Sequence, residues 1–280
     1  GVTIQGTGNT VSNAYKDMDI SWGDLWNFSD GDYSSLAKKD SGAIAIIGGG
    51  NTISNQTSST VIGVGNILKG ENSTGVFTAG SKNTLTNVSN SLVMGDNNTL
   101  RDRKNVISLG NNNTVGADDA VAIGNGTTVK AESGVAIGVG SVADRVAESE
   151  KGALGAFAPD TIPTGQESTW TSTKGAVSVG DTANNITRQI TNVAAGREDT
   201  DAVNVAQLKQ VASQAERANQ GWNLTTNGVD AAATNVAPGG SVDFSGDDNV
   251  TVSNQDTKVK VSLNKDINVN SVQTNALNSK

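Results

Sequence analysis

The chain has 280 residues, a formal net charge of −8, 33 glycines, 3 prolines, and neither cysteine nor histidine. That composition removes thiolate chemistry, imidazole acid–base catalysis and most zinc sites, and the acidic balance argues against nucleic acid as a partner. Hydrophobic residues make up 35% and aromatic residues 4%, too few large apolar side chains for a conventional globular core at this length. No run approaches the ~18 apolar residues of a membrane-spanning helix. No signal peptide opens the chain and Gly1 lies directly in a repeat, so the chain reads as a piece of something longer. The lack of Cys suits a bacterial protein exported through an oxidising periplasm.

The pattern Gly-x-x-Asn-Thr-apolar occurs first at Gly6–Val11 and again at Gly48-Gly49-Gly50-Asn51-Thr52-Ile53. Between them, residues 14–40 hold Tyr15, Trp22, Trp26, Phe28 and Tyr33 among scattered Asp and Lys. This stretch predicts an insertion projecting from one coil. It is either a loop with its own small apolar cluster or a lobe whose aromatics contact a ligand.

From Gly48 to Val142 the repeats run almost without a break. Gly80, Gly95, Gly110, Gly124 and Gly138 lead copies that are 15, 15, 14 and 14 residues apart, each preceded by a short apolar run such as Leu92–Met94, Val121–Ile123 or Val135–Ile137. Fixed-period self-similarity marks a stacked repeat. Residues two apart share one face of a strand, and Gly with Asn turns the chain because both tolerate positive φ. Two short strands and two turns make a flattened coil, which hydrogen-bonds to the next at about 4.8 Å. The Asn-Thr pairs at 51–52, 83–84, 98–99 and 113–114 then stack into ladders on one turn. Apolar neighbours such as Ile46-Ile47, Val61-Ile62 and Val106-Ile107 put greasy side chains outside as well as inside. A surface of that kind implies a partner, and self-association about a symmetry axis is the economical one.

Residues 143–174, with Pro159 and Pro163, break the repeat as an irregular loop. Gly175–Gly180 restores one last coil. The period then changes. Leu208, Val211, Ala215, Ala218 and Trp222 are spaced 3, 4, 3 and 4, a heptad seam in which Asn204 shares the register. A polar residue there predicts an Asn204 layer on an oligomer axis, with room for water or an anion, and Asn204→Ile would raise stability or alter strand number. The helix is short and Ala-rich, so it needs a bundle. Beyond Gly221, Val236–Phe244 reads as a turn into a strand. Val250–Val252 and Lys258–Leu263 read as strands either side of a hairpin-like connection, and Asp247-Asp248-Asn249 as a turn rather than a cation site.

The Val121-Ala122-Ile123-Gly124 and Val135-Ala136-Ile137-Gly138 copies resemble the YadA-like head repeats of trimeric autotransporter adhesins. Ile190-Thr191-Asn192-Val193-Ala194-Ala195-Gly196, continuing through Asp201 to Leu208, is similar to the neck connector of that family, and this is the more specific match. The tail from Gly221-Trp222 to Asp266 is similar to its β-rich stalk connectors. The resemblance implies a mainly β fold: a left-handed parallel β-roll head over 1–180 in a homotrimer, a neck over 181–207, a short trimeric coiled coil over 208–220, and a β-rich connector over 221–280. It places Val193, Asn204, Leu208, Val211, Ala215 and Trp222 in the trimer core and neck. It implies a cell-surface adhesin of the bacterial outer membrane, with its membrane anchor outside this stretch, that attaches to host matrix proteins, cell-surface receptors or other bacteria. No cofactor, metal or catalytic residue is expected. The early coils follow Gly-x-x-Asn-Thr more than the usual Ser-Val-Ala-Ile-Gly wording, and the 14–40 insertion is foreign to the simple head pattern.

Two other functions compete. A β-solenoid polysaccharide-active enzyme would need paired carboxylates, and Asp118, Asp119 and Glu132 occupy no recurring position. An ice- or surface-binding solenoid would use the Asn-Thr ladders but gives the heptad and neck no place.

Overall fold

A computed structural model describes residues 1–14, 43–151, 154–228 and 233–273. They form two compact units, Gly1–Asn192 and Val193–Lys280. The insertion candidates Tyr15, Trp22, Trp26, Phe28 and Tyr33 lie outside the described residues.

The first unit is a parallel β-solenoid. Strands β1 (Val2–Gln5), β3 (Ile44–Gly49), β5 (Ser59–Val64), β7 (Phe77–Ala79), β9 (Leu92–Met94), β11 (Ile107–Leu109), β13 (Val121–Ile123), β15 (Val135–Ile137) and β17 (Val177–Ser178) stack in that order as a nine-stranded sheet. The intervening strands form the eight-stranded sheet: β2 (Thr10–Ser12), β4 (Thr52–Thr57), β6 (Ile67–Thr74), β8 (Thr84–Ser89), β10 (Thr99–Lys104), β12 (Thr114–Val115), β14 (Thr128–Val129) and β16 (Val142–Ala143). Every pairing within these two sheets is parallel and joins a strand to the equivalent strand of the next coil.

One core lies between the sheets. Ile53, Leu68, Leu85, Leu100, Val115 and Val129 enter it from the eight-stranded sheet. Opposite them the register stacks Ile46, Val61, Thr78, Val93, Ser108, Ala122 and Ala136 into one inward column, so the filling side chains shrink along the chain. In the late coils the small residue therefore points in and its larger neighbours point out. Ala122 is buried, whereas Ile123 is 38% exposed.

Two one-dimensional features hold the coils in step. The amides of Asn9, Asn51, Asn66, Asn83 and Asn98 form a continuous ladder. The Oδ1 of Asn83, for example, accepts from the backbone N–H (2.9 Å) and the Nδ2 (3.0 Å) of Asn98, while its own Nδ2 donates to Asn66 Oδ1 (2.9 Å) and to the Gly95 carbonyl (2.7 Å). The ladder continues through Asn113 and ends where Thr127 donates twice to Asn113 Oδ1. Its members from Asn51 to Asn113 are fully buried, so each lost bond leaves a desolvated group behind. Asn83→Ala is expected to lower unfolding free energy by about 2 kcal/mol, readable as a lower urea midpoint in circular dichroism. At the adjoining corner, Gly48, Gly63, Gly80, Gly95, Gly110 and Gly124 have φ between 117° and 137°, and each packs backbone to backbone on the glycine of the next coil.

Between β16 and β17 an excursion carries two single-turn helices, α1 (Glu148–Lys151) and α2 (Glu167–Trp170). The second unit holds helix α3 (Val205–Ala218), the antiparallel pair β18 (Trp222–Leu224) and β19 (Thr234–Val236), and the hairpin β20 (Val250–Gln255) and β21 (Lys258–Leu263). The first hairpin strand runs longer than its alternation predicted, to Gln255, while the second keeps its predicted bounds; Gln255 pairs with Lys258 and leaves a two-residue turn in which Asp256 takes φ 52°. Ser241–Phe244 is not a strand; among the described residues no strand pairs with it. Asp247 Oδ1 accepts the N–H groups of Asn249 and Val250, both at 2.8 Å, and so opens the hairpin as a turn.

Candidate functional site

The alternation that fills the core also builds an outer surface. On the nine-stranded sheet two outward columns are apolar. One stacks Ile47, Ile62, Ala79, Met94, Leu109, Ile123 and Ile137. The other stacks Phe77, Leu92, Ile107, Val121, Val135 and Val177. Within the pairs noted in the sequence, Ile46, Val61 and Val106 are buried while Ile47, Ile62 and Ile107 are 48%, 36% and 40% exposed. The eight-stranded sheet differs: Thr52, Thr84, Thr99, Thr114 and Thr128 line one of its outward columns, broken by Ile67. Among the described residues one face of the roll is an apolar sheet surface, its first column spanning β3 to β15 and its second β7 to β17. A contiguous apolar face of that extent is the mark of an interaction site.

The end of the roll is fastened by Arg188. Its guanidinium donates to the Val139 carbonyl (2.7 Å), to Ser141 Oγ (3.1 Å) and to the Val179 carbonyl. One side chain thereby occupies the acceptors that the last coil leaves open, and the planar fork of arginine suits that task.

In the second unit the helix start is built as a clamp. Asn204 is the N-cap of α3: its Oδ1 accepts from the Gln207 N–H (3.1 Å), and Gln207 Oε1 accepts from the Asn204 N–H (3.2 Å), a reciprocal capping box. Gln207 reaches further, pairing with both backbone groups of Gly196 at 3.0 and 2.9 Å, and Asn204 Nδ2 donates to the Val193 carbonyl at 3.2 Å. The segment 193–196 is thus tied to the first turn of the helix. Asp201 closes the intervening loop by accepting the N–H groups of Arg197 (2.8 Å) and Glu198 (3.0 Å). Those two bonds hold its carboxyl below the usual range. Because the folded value is depressed, this contribution is complete above the ordinary carboxylate range and is lost as the pH falls through the lower folded value. A pH titration of the Asp201 carboxyl carbon by NMR is expected to show that lowered midpoint, and Asp201→Asn to remove the acid dependence of the loop. On α3 itself, Leu208, Val211 and Ala215 lie exposed along one stripe, and Trp222 at the head of β18 is 54% exposed.

Residues 189–234, which span this clamp and helix, match the family model of the coiled stalk of trimeric autotransporter adhesins. The chain is 46% identical over 103 residues to autotransporter adhesin BadA of Bartonella henselae, 38% identical over 86 residues to autotransporter adhesin BtaE of Brucella suis, and 66% identical over 44 residues to the trimeric autotransporter adhesin AtaA of Acinetobacter sp. Tol 5. The chain is a relative of the trimeric autotransporter adhesins. The matches take in 36%, 30% and 16% of this chain but only 3%, 11% and 1% of those three adhesins. A crystal structure of the collagen-binding domain of the Yersinia adhesin YadA aligns with 60% of this chain and 86% of its own at 20% identity, with a TM-score of 0.28, too low to carry a fold argument.

Within this adhesin relative, the residues singled out by sequence divide. Leu208, Val211, Ala215 and Trp222 are displayed to solvent in the single chain. Val193 and Asn204 meet each other. Within the single chain both ends of the Asn204 amide are bonded, at the cap of α3. The cap by itself gives substitution the opposite expected sign from a seam position. Asn204→Ile, and likewise Asn204→Ala, should destabilise by about 1 kcal/mol, the usual cost of losing a cap, measured by thermal unfolding followed at 222 nm. Heptad spacing hid this role, and the Asn204-Val205-Ala206-Gln207 spacing was the signal that reveals it. Arg188 had no sequence signal beyond its type.

Proposed function

We propose that this chain is the head-to-stalk part of a bacterial surface adhesin that acts as a homotrimer. The observation that carries the reading is the apolar outer face of the nine-stranded sheet, which three copies bury by packing around a common axis. The exposed Leu208, Val211 and Ala215 stripe extends the same logic to the helix, where three stripes form a short coiled coil. Adhesion is then multivalent, three copies of each weak site raising avidity without a deep pocket. The surface left outward is polar, and the aromatic residues Tyr15, Trp22, Trp26, Phe28 and Tyr33 are the candidate ligand anchors. The targets are host matrix proteins, host cell receptors or other bacteria. The assembly acts at the bacterial cell surface, on the outer membrane. The relatives, all adhesins, favour binding over catalysis.

Sedimentation equilibrium at micromolar concentration tests the assembly, and solid-phase binding to collagen, fibronectin, laminin, epithelial cells and bacteria tests the adhesion. A well-folded lone chain would overturn the first part; a trimer that binds none of these would overturn the second.

A further inference from the structure

The excursion between β16 and β17 holds an aromatic side chain in an unusual setting. Gly155–Ala158 is a turn closed by the Ala158 N–H donating to the Gly155 carbonyl at 3.3 Å. Its third residue, Phe157, has a φ of 63° and is 99% exposed. A left-handed backbone is rare for a bulky residue, and a fully solvated phenyl ring hides none of its apolar area. The turn is nonetheless tied down. The Gly155 N–H donates to the Trp170 carbonyl (2.7 Å), the Ser149 N–H to the Ser172 carbonyl (3.1 Å), and the Glu148 N–H to Ser172 Oγ (2.9 Å).

The same coil carries a hollow of about 390 Å³ where β16 ends and β17 begins, with Val142, Ala143, Ala176 and Ile186 among its lining and Asp144 and Asp181 beside them. A cavity of ~150 Å³ already admits benzene, so a phenyl ring fits. Polar and charged side chains, Arg145, Ser178 and Thr182 as well as the two aspartates, line it alongside the apolar ones. The excursion leaves the roll at Asp144 and rejoins it at Ala176, both lining residues, so tip and hollow belong to one coil. In copies related by rotation about an axis along the roll, features of one coil face the same coil of the next copy, and a head-to-tail contact closes with the ring. Val177, on the lip, ends an outward apolar column of the nine-stranded sheet, which makes the hollow continuous with that face.

We infer that Phe157 of each copy inserts into the Val142–Ile186 hollow of the next, giving three identical contacts that lock the last coils together. This rests on the trimeric reading above. The chain has no native cysteine, so the full chain carrying Ala156→Cys and Ala183→Cys, beside the intact Phe157 on the tip and at the hollow, is treated with a short bis-maleimide and run on denaturing gels. Most of the chain should shift to a covalent species of three chains, because every copy supplies both groups. If the same sample sediments as a trimer yet yields only single-chain product, this contact is overturned and the trimer is not. If it sediments as one chain, both fail. Phe157→Ala, which alters only an exposed tip in the single chain, should leave the circular dichroism spectrum unchanged and weaken association by at least about tenfold, as loss of a buried aromatic anchor does; unchanged association would also overturn the contact.

Discussion

Ile107→Asp is expected to abolish the proposed trimer while leaving the single roll folded. Ile107 lies in mid-sheet, paired in register with Leu92 and Val121, and its side chain points away from the core. In a lone chain an aspartate there is solvated and costs little. At the centre of an apolar interface it is an unpaired charge stripped of water, with a penalty of several kcal/mol in each of three copies. The measurement is sedimentation velocity alongside far-ultraviolet circular dichroism: the oligomer boundary should vanish while the β-sheet signal of the roll remains. Thr99→Asp, on the outward side of the eight-stranded sheet, is the control and should assemble normally. Retention of the trimer by Ile107→Asp would show that some other surface joins the copies.

The second large effect is on the roll itself. Gly95 has φ 117°, a region that side chains rarely enter, and a Cβ built there would overlap the carbonyl of Gly110 in the next coil. The obstacle is backbone, so no rotamer change relieves it, and the same glycine also supplies the carbonyl to which Asn83 donates. Gly95→Ala is expected to cost on the order of 4 kcal/mol, combining backbone strain with a displaced coil. Gly126→Ala makes the comparison, since its φ is 65° and nothing lies within 4 Å of its Cβ position; only the smaller conformational penalty applies there. Urea midpoints of the two variants should differ clearly. Equal midpoints would mean that the glycine contact between coils does not hold the stack.

Much of the roll was legible because its signals are periodic. The Gly-x-x-Asn spacing located the turns, and the alternation located strands as short as Val121–Ile123. What alternation could not give was the sense of each strand. With Val121, Ala122 and Ile123 all apolar, hydrophobicity alone does not say which faces inward; the narrowing core decides it, admitting Ala122 and leaving Val121 and Ile123 outside. In the second unit the reverse held. A period of 3 and 4 residues found the helix and its exposed stripe, yet assigned Asn204 to the stripe because its distance from Leu208 fits a seam as well as a cap. Gln207, three residues on, signals the cap, and its pairing with Gly196, 11 residues away, adds a contact that spacing does not show. Contacts of that kind, and the bonds from Arg188 to Val139 and Val179, depend on a chain path that residue types do not encode.

The dwindling inward column, from Ile46 through Val93 to Ala136, has a mechanical consequence. A stacked solenoid is stabilised coil by coil through nearest neighbours, and apolar burial scales with side-chain size. The coils nearest residue 180 are therefore the weakest in hydrophobic terms, and they are the ones that tension along the chain from residue 193 onward reaches first. Fraying should start there and travel upward. Arg188, pinned across that final coil, acts as the rivet that keeps a tug on the tether from peeling the roll open.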